Sequence, residues 1–346
     1  MFNPQYQITN KMLMSISKIE AAEEVIRQAP LLPLWEKQFK DDAVVRAVYH
    51  GTHIEGNRLG MEEAKDVLMG RDIIARPRDI QEIINYRRVM EYIDDEATRG
   101  MERITEQVVM KLHRLVVDKI MEPERSGQYR STQVVIKNSE NGEVTFRPPP
   151  PLEVPYLMRE FLYWMNKDDL EIHPILKAGI VHHEFVRIHP FVDGNGRVGR
   201  ALTTLGLFLG GYDIRRFFSL EEFYDRDAAT YYEHLQKASA GDLTAWLEYF
   251  SWGASIEFDR VKEKVLKISR DAKTKERIGG KQIFLNERQI KIIEYINDVG
   301  YVQNKMFGSL APDVSEDTML RDIKDLIAGG LIKKVGSTKS ARYILT

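Results

Sequence analysis

Twelve consecutive residues gather groups that could do chemistry: His189-Pro190-Phe191-Val192-Asp193-Gly194-Asn195-Gly196-Arg197-Val198-Gly199-Arg200. Pro190 disfavours helical geometry at His189, so one helix is expected to end near Ile188. A new apolar-periodic helix is expected to start near Arg197. The glycines between them let backbone N–H groups converge into a nest for an anion. The helix N-terminus that follows adds unpaired N–H groups and a positive dipole end. Arg197 and Arg200 are three residues apart and can share one side of the first turn. Two cations there oppose the helix dipole, so they call for an anionic partner. The arrangement suits a di- or triphosphate. Asp193, at the mouth, would repel phosphate unless a cation lay between them, and Mg²⁺ held by one carboxylate plus phosphate oxygens fits. His189 is a base that titrates near neutrality. A base beside a phosphate nest points to group transfer from a nucleotide to a hydroxyl. Taken singly, such a histidine is usually structural and such an aspartate usually a helix cap. The combination carries the inference.

This segment resembles the signature of the Fic family, His-Pro-Phe-x-Asp-Gly-Asn-Gly-Arg-x-x-Arg, with every specified position present. The likeness extends more loosely over about 105–250 and back to about residue 40. It implies a mainly α, Fic-type helical bundle with a small β-hairpin flap. It also implies an Mg²⁺-dependent nucleotidyltransferase moving AMP from ATP to a Ser, Thr or Tyr hydroxyl of a target protein. By the resemblance, His189 takes the proton from the attacking hydroxyl and Asp193 holds Mg²⁺ against the α- and β-phosphates. Gly194, Asn195 and Gly196 line the anion hole, Arg197 and Arg200 bind the β- and γ-phosphates, and Phe191 anchors the loop. A relative that transfers phosphate instead has lysine at the position of Gly194, so glycine here favours AMP transfer. Tyr231-Tyr232, with Leu235 one turn on, is similar to the segment that stacks on adenine, although Ser239 stands where the family often has Asn. The hairpin ending at Phe146-Arg147-Pro148 resembles the flap that aligns a target peptide by strand addition.

A second segment reads as regulatory. Gly56-Asn57 are terminators, so Glu55 falls at the C-terminus of a helix with apolar positions Val44, Val45 and Val48. A carboxylate there opposes the dipole by about 0.3–1 kcal/mol and wants a cation. Many Fic proteins carry Ser/Thr-x-x-x-Glu-Gly/Asn, whose Glu pairs with the last signature arginine and blocks the γ-phosphate. Here Glu-Gly-Asn is present, but Gly51 takes the Ser/Thr position and Thr52 follows one residue later. The resemblance therefore implies autoinhibition by Glu55 through Arg200. It also leaves open removal of AMP by the same site, with Glu55 positioning a water.

The elements around these residues are expected to be helical. Thr9 should cap a first helix, with Ile8 packing on Leu13 as a staple. Further helices are expected near 41–55, 61–69, 79–98, 105–120, 153–167, 174–188, 197–210, 228–238 and 243–270. Thr132 to Ile136 is β-branched, Asn141-Gly142 is a hairpin turn signal, and Val144 to Phe146 returns. Pro148 to Pro151 then form a stiff extended segment. Residues 259–282 hold nine Lys or Arg against four Asp or Glu and include Gly279-Gly280, so a basic linker is expected there. Helices at 287–297, 304–310 and 316–328 and a hairpin around Gly336-Ser337 resemble a winged helix. The expected division is a helical region with the inhibitory segment (1–104), a catalytic core (105–258), the linker (259–282) and a winged-helix domain (283–346).

Composition closes other routes. The 346 residues suggest about two to three domains at roughly 150 each. Net charge is −2, with 43% apolar and 29% charged residues, so the chain can bury a core and is not a disordered polymer. With no cysteine, disulfide scaffolds, thiolate metal sites and a Cys nucleophile are excluded. No apolar run nears the ~20 residues of a membrane span, and Met1-Phe2-Asn3-Pro4 opens no secretory leader. A cytoplasmic protein with no membrane partner is expected. The cluster His182, His183, Glu184 and His189 lacks His-Glu-x-x-His spacing, and His182 lies on an apolar stripe, which argues against a metal hydrolase. Residues 283–346 carry nine basic and eight acidic residues, a faint footprint for a DNA-binding regulator. The winged helix could instead recognise a target protein or a partner subunit in a homodimer.

Overall fold

The computed structural model describes residues 2–29, 33–137, 142, 144–167, 171–212, 217–276, 285–312, 314–336 and 341–346. The chain divides into two compact units, Met1–Val265 and Leu266–Thr346. In the first unit the helices are α1 (Asn10–Gln28), α2 (Pro33–His53), α3 (Met61–Leu68), α4 (Pro77–Thr98), α5 (Glu106–Val117), α6 (Val154–Met165), α7 (Pro174–Ile188), α8 (Asn195–Leu209), α9 (Leu220–Arg226), α10 (Ala228–Ala238) and the start of α11 (Thr244–Glu276), which continues past Val265. A hairpin, β1 (Ile136–Lys137) and β2 (Val144–Phe146), lies between α5 and α6. The mainly helical class and small hairpin match expectation.

The helices α7 and α8 form the centre. His182 Nδ1 meets Thr203 Oγ1 at 2.8 Å, and a Cβ on Gly199 would stand 3.1 Å from Val186 Cγ2. These two contacts fix an antiparallel pair with close backbone approach, which only glycine at 199 permits without displacement. The α11 helix closes on α7 where Trp246 Nε1 donates to Gly179 O at 2.8 Å. Phe161, Phe185, Phe191, Leu202, Leu205, Phe250 and Phe258 fill one continuous core. The α2 helix, which leads to Glu55, is tied down by charge. Arg46 is buried and pairs with Glu222 of α9 at 2.9 Å and Glu257 of α11 at 3.3 Å, while His50 and His53 both meet Asp225 of α9. Burial alone would raise the Glu222 carboxyl, but Arg260 and Arg46 bring it down to about 2.

Several boundaries differ from expectation, each for a local reason. Thr9 caps α1 by accepting from Met12 N, but Ile8 and Leu13 are both more than half exposed, so the staple is not buried. The α2 helix starts at Pro33 rather than 41, and proline suits that first position. The α8 helix starts at Asn195, two residues early, because Gly194 at φ +82° serves as its N-cap. The stretch 132–135 is irregular, and only Ile136–Lys137 pairs with the returning strand. Much of the expected linker is helix: α11 runs to Glu276, and the buried Phe258, Val261 and Val265 sustain its apolar period beyond 259. Asn141, Gly279, Gly280, Ser337 and Lys339 lie outside the described residues.

The second unit contains α12 (Glu287–Val299), α13 (Phe307–Leu310), α14 (Glu316–Ala328) and an antiparallel pair, β3 (Ile332–Val335) and β4 (Arg342–Leu345). Val302 adds a bridge to Tyr343. Its core is separate, built on Ile292, Ile296, Met319, Ile323, Leu326 and Tyr343. Among the described residues, no helix is long and apolar enough to cross a membrane.

Candidate active site

The loop between α7 and α8 carries the signature, and each residue has a physical anchor. His189 caps α7 in the left-handed region at φ +50°, a conformation costly for a residue with a Cβ. Arg130 holds it there. Its buried guanidinium donates to His189 O at 2.8 Å and Pro149 O at 2.5 Å, and its N–H donates to Pro190 O at 2.9 Å. His113 of α5 stacks on Phe191 with centroids 3.8 Å apart. Its Nδ1 accepts from Gly127 N at 2.8 Å, which leaves Nε2 protonated to donate to Asp193 O at 3.1 Å. Asn195 exchanges two 2.9 Å hydrogen bonds with the backbone of Phe191. The Asn195 side chain thus braces the loop rather than facing the nest.

His189 Nδ1 faces Val186 O at 3.3 Å, which places the proton on Nδ1 and leaves Nε2 as the free lone pair. Burial drives its pKa down to about 4, against the raising influence of the Val186 carbonyl and the Glu55 carboxylate. The imidazole is therefore neutral near pH 7 and able to accept a proton.

A Cβ on Gly194 would lie 3.0 Å from Val116 Cγ1 and 3.2 Å from Val117 Cγ1, and φ is +82°. Glycine is required there on both counts. Arg197 and Arg200 are buried on the first and second turns of α8. Among the described residues, Arg197 Nε and Nη1 and Arg200 Nε and Nη1 are buried without an acceptor in good hydrogen-bond geometry, although the Tyr86 and Tyr231 hydroxyls lie close to Arg200 and Glu82 Oε1 stands 3.4 Å from Arg197 Nη1 as an ion pair. Buried guanidinium N–H groups left without acceptors are costly, and phosphate oxygens would satisfy them.

Glu55 reaches this place. Its Oε1 accepts from Arg200 Nη2 at 2.8 Å and lies only 2.1 Å from where a Gly196 Cβ would sit. Burial alone would lower the Arg200 pKa, but Glu55 together with Tyr231, Tyr86 and Tyr232 outweighs it and holds the guanidinium well above its ordinary value. The Ser/Thr-to-Gly departure has a physical account. Gly51 O itself accepts from Arg200 Nη2 at 2.8 Å, and a Cβ at 51 would strike the ring of Tyr86 at 2.5 Å. The Thr52 hydroxyl is turned into its own helix, donating to Val48 O.

Asp193 Oδ1 accepts from Gly194 N at 2.6 Å, and Oδ2 accepts from Arg78 of α4 at 3.1 Å. A cationic group already rests on this carboxylate. Among the described residues, no group of three or more His, Asp or Glu could hold an ion unaided. A divalent cation at Asp193 would share it with phosphate oxygens. His182 is spoken for: Thr203 Oγ1 donates to Gly199 O, so it accepts from His182 Nδ1, and Nε2 accepts from the Tyr231 hydroxyl at 2.8 Å.

The expected adenine residues divide. Tyr231 is 1% exposed, stacked under Tyr224 and bonded to His182, so its ring is core. Tyr232 is 45% exposed with its hydroxyl towards Ile54 O, and Leu235 is buried beneath. The hairpin meets α10 where Gln236 Nε2 donates to Thr145 O at 3.0 Å.

Four residues of this site escaped sequence reasoning: Arg78, Glu82, His113 and Arg130. Only His113 left a trace, as a histidine on the apolar stripe of Val109, Leu112 and Val116.

Residues 103–207 match the family model described as the Fic/DOC family. The chain is 29% identical to the protein adenylyltransferase Fic of Drosophila grimshawi over 240 residues, covering 68% of this chain and 44% of that protein. It is also 29% identical to the protein of the same name from Nematostella vectensis over 243 residues, covering 68% and 52%. The chain thus spans about half the length of the curated relatives it matches. Among solved structures, a Fic family protein from Desulfovibrio desulfuricans G20 aligns with a TM-score of 0.66 at 24% identity, covering 100% of this chain and 98% of that one. Fic-1 from C. elegans aligns at 0.61 and 24%, covering 74% of each. Residues 103–207 therefore form a Fic/DOC family domain within this chain.

Proposed function

We propose that this chain transfers AMP from ATP to a hydroxyl of a target protein, with Mg²⁺ shared between Asp193 and the phosphates, and that Glu55 restrains it. The observation that carries this reading is the set of buried, unsatisfied Arg197 and Arg200 N–H groups at the start of α8, beside a neutral His189. The names of the matched relatives support the reaction class.

In this reading His189 Nε2 accepts the proton as the hydroxyl oxygen attacks the α-phosphorus. A new P–O bond forms, the bond to the β-phosphate oxygen breaks, and pyrophosphate leaves. A metal ion at Asp193 supplies charge neutralisation for the phosphates. Arg130 and His113 fix the loop, so the reacting groups need little rearrangement. Arg197, Arg200 and the α8 amides stabilise the charge that develops on the leaving pyrophosphate. Tyr232 and Leu235 offer a face for adenine, with Tyr231 as its support. The β1–β2 hairpin offers an edge for the target peptide.

The second unit is read as a winged helix that contacts protein. The α14 helix opens with Glu316 and Asp317, and its Asp322 is engaged by Arg288 at 2.7 Å, which disfavours a phosphate-facing role. The test is incubation of the Glu55→Gly chain with a cell lysate and ATP labelled at the α- or the γ-phosphate. Label that appears only when the chain is added should come from the α position, and His189→Ala in the same background should remove it. Chain-dependent label that survives His189→Ala, or that arrives from the γ position, would overturn the reading.

A further inference from the structure

Asp193 is engaged from outside the signature. Arg78, in the first turn of α4, donates through Nε to Glu82 Oε1 at 3.0 Å and through Nη2 to Asp193 Oδ2 at 3.1 Å. Asp193 Oδ1 is already taken by Gly194 N, with Arg197 Nη2 at 3.5 Å. The outward oxygen of this carboxylate is therefore satisfied by a guanidinium. Glu82, which holds the stem of Arg78, is buried and cannot turn away. Its other oxygen accepts from Asn57 Nδ2 at 3.0 Å, and Asn57 follows Glu55 by two residues. Arg78 itself has 58% of its side chain in solvent.

We propose that Arg78 is a positioning residue that occupies the cation place on Asp193 until a nucleotide-bound divalent metal displaces it, and so sets the affinity for that metal. This rests on the reading of Asp193 as a metal ligand. Two cations cannot share one carboxylate oxygen without repulsion. An exposed guanidinium joined to Asp193 by one hydrogen bond is held there weakly enough to exchange, and its side chain has solvent to swing into. Glu82 keeps the group nearby and ties its resting position to the turn that carries Glu55.

The test is Mn²⁺ binding, followed by electron paramagnetic resonance of the free ion. It uses the full Glu55→Gly chain saturated with α,β-methylene ATP, which cannot undergo transfer. Arg78→Ala should tighten Mn²⁺ about three- to fivefold at low ionic strength. The gain should shrink in about 0.5 M salt. Arg88→Ala removes an exposed charge on the same helix, paired with Asp118 at 2.8 Å, and should change nothing. Equal or weaker binding after Arg78→Ala, or an equal gain from Arg88→Ala, would overturn the proposal, while loss of binding in Asp193→Ala would still support the ligand reading. Failure of Mn²⁺ to bind in any variant would overturn both.

Discussion

Replacing Glu55 by glycine should raise activity and lower stability together. The Glu55 carboxylate is 24% exposed and Arg200 is 1% exposed, with 2.8 Å between Oε1 and Nη2. A hydrogen bond between charged groups contributes roughly 1.5–3 kcal/mol, and partial exposure places this one near the lower end. At 1.4 kcal/mol per tenfold, removing the competitor should strengthen binding of the triphosphate end about ten- to thirtyfold. Oε1 also fills the space that a side chain at Gly196 would need, beside the N-terminal turn of α8. Self-labelling by α-labelled ATP below saturation should rise by about that factor. The folded chain without nucleotide meanwhile loses the pair, so its melting temperature should fall by about 3–6 °C. A merely disruptive substitution would lower both quantities, and a neutral one would move neither. Glu55→Gln keeps the shape without the charge and should fall between. An unchanged labelling rate, both below saturation and at saturating Mg²⁺ and ATP, would refute the inhibitory role.

The buried histidines make further predictions about pH. His113, His183 and His189 each have a folded pKa of about 4, with burial as the main cause. Below their unfolded value of about 6.5, the unfolded chain takes protons that the folded chain refuses. The stability they contribute is complete above pH 6.5 and drains away as pH falls to about 4, by up to ~3 kcal/mol for each. Urea unfolding at a series of pH values should show this loss, and a constant midpoint from about pH 7 to 4.5 would contradict it. For the same reason kcat/KM should show no loss from His189 protonation between about pH 8 and 5.5, and an inflection near 6.5 would contradict its burial.

Much of the candidate site was legible because its information is local. Pro190 ends one helix, the glycines shape the turn, and two arginines at a helix start ask for an anion. The same locality made Glu55 visible, since a carboxylate before Gly-Asn at a helix end needs a distant cation. Arg130, Glu82 and Arg78 were not legible. Their roles depend on which backbone carbonyl or carboxylate the fold brings to them across 59, 115 and similar separations in sequence. Tyr231 and Tyr232 show the limit from the other side. Adjacent aromatics on a helix look alike in sequence, yet one lies under Tyr224 and the other faces outward. The Gly51 departure could be noticed in the sequence but explained only once Tyr86 was seen filling the space. The helical character of 259–276 was hidden for a related reason: a basic composition masked Val261 and Val265, which keep α11 packed on the core, while the boundary between the two units does fall within 259–282.

The account depends on a triphosphate lying in the turn from Gly194 to Arg200. A crystal structure of the Glu55→Gly chain with α,β-methylene ATP and Mg²⁺ measures this most directly. Phosphate oxygens should lie on the α8 amides and on the Nε and Nη1 atoms of Arg197 and Arg200, with His189 Nε2 directed towards the α-phosphorus. Nucleotide bound elsewhere, or an imidazole turned away from every phosphorus, would contradict the account.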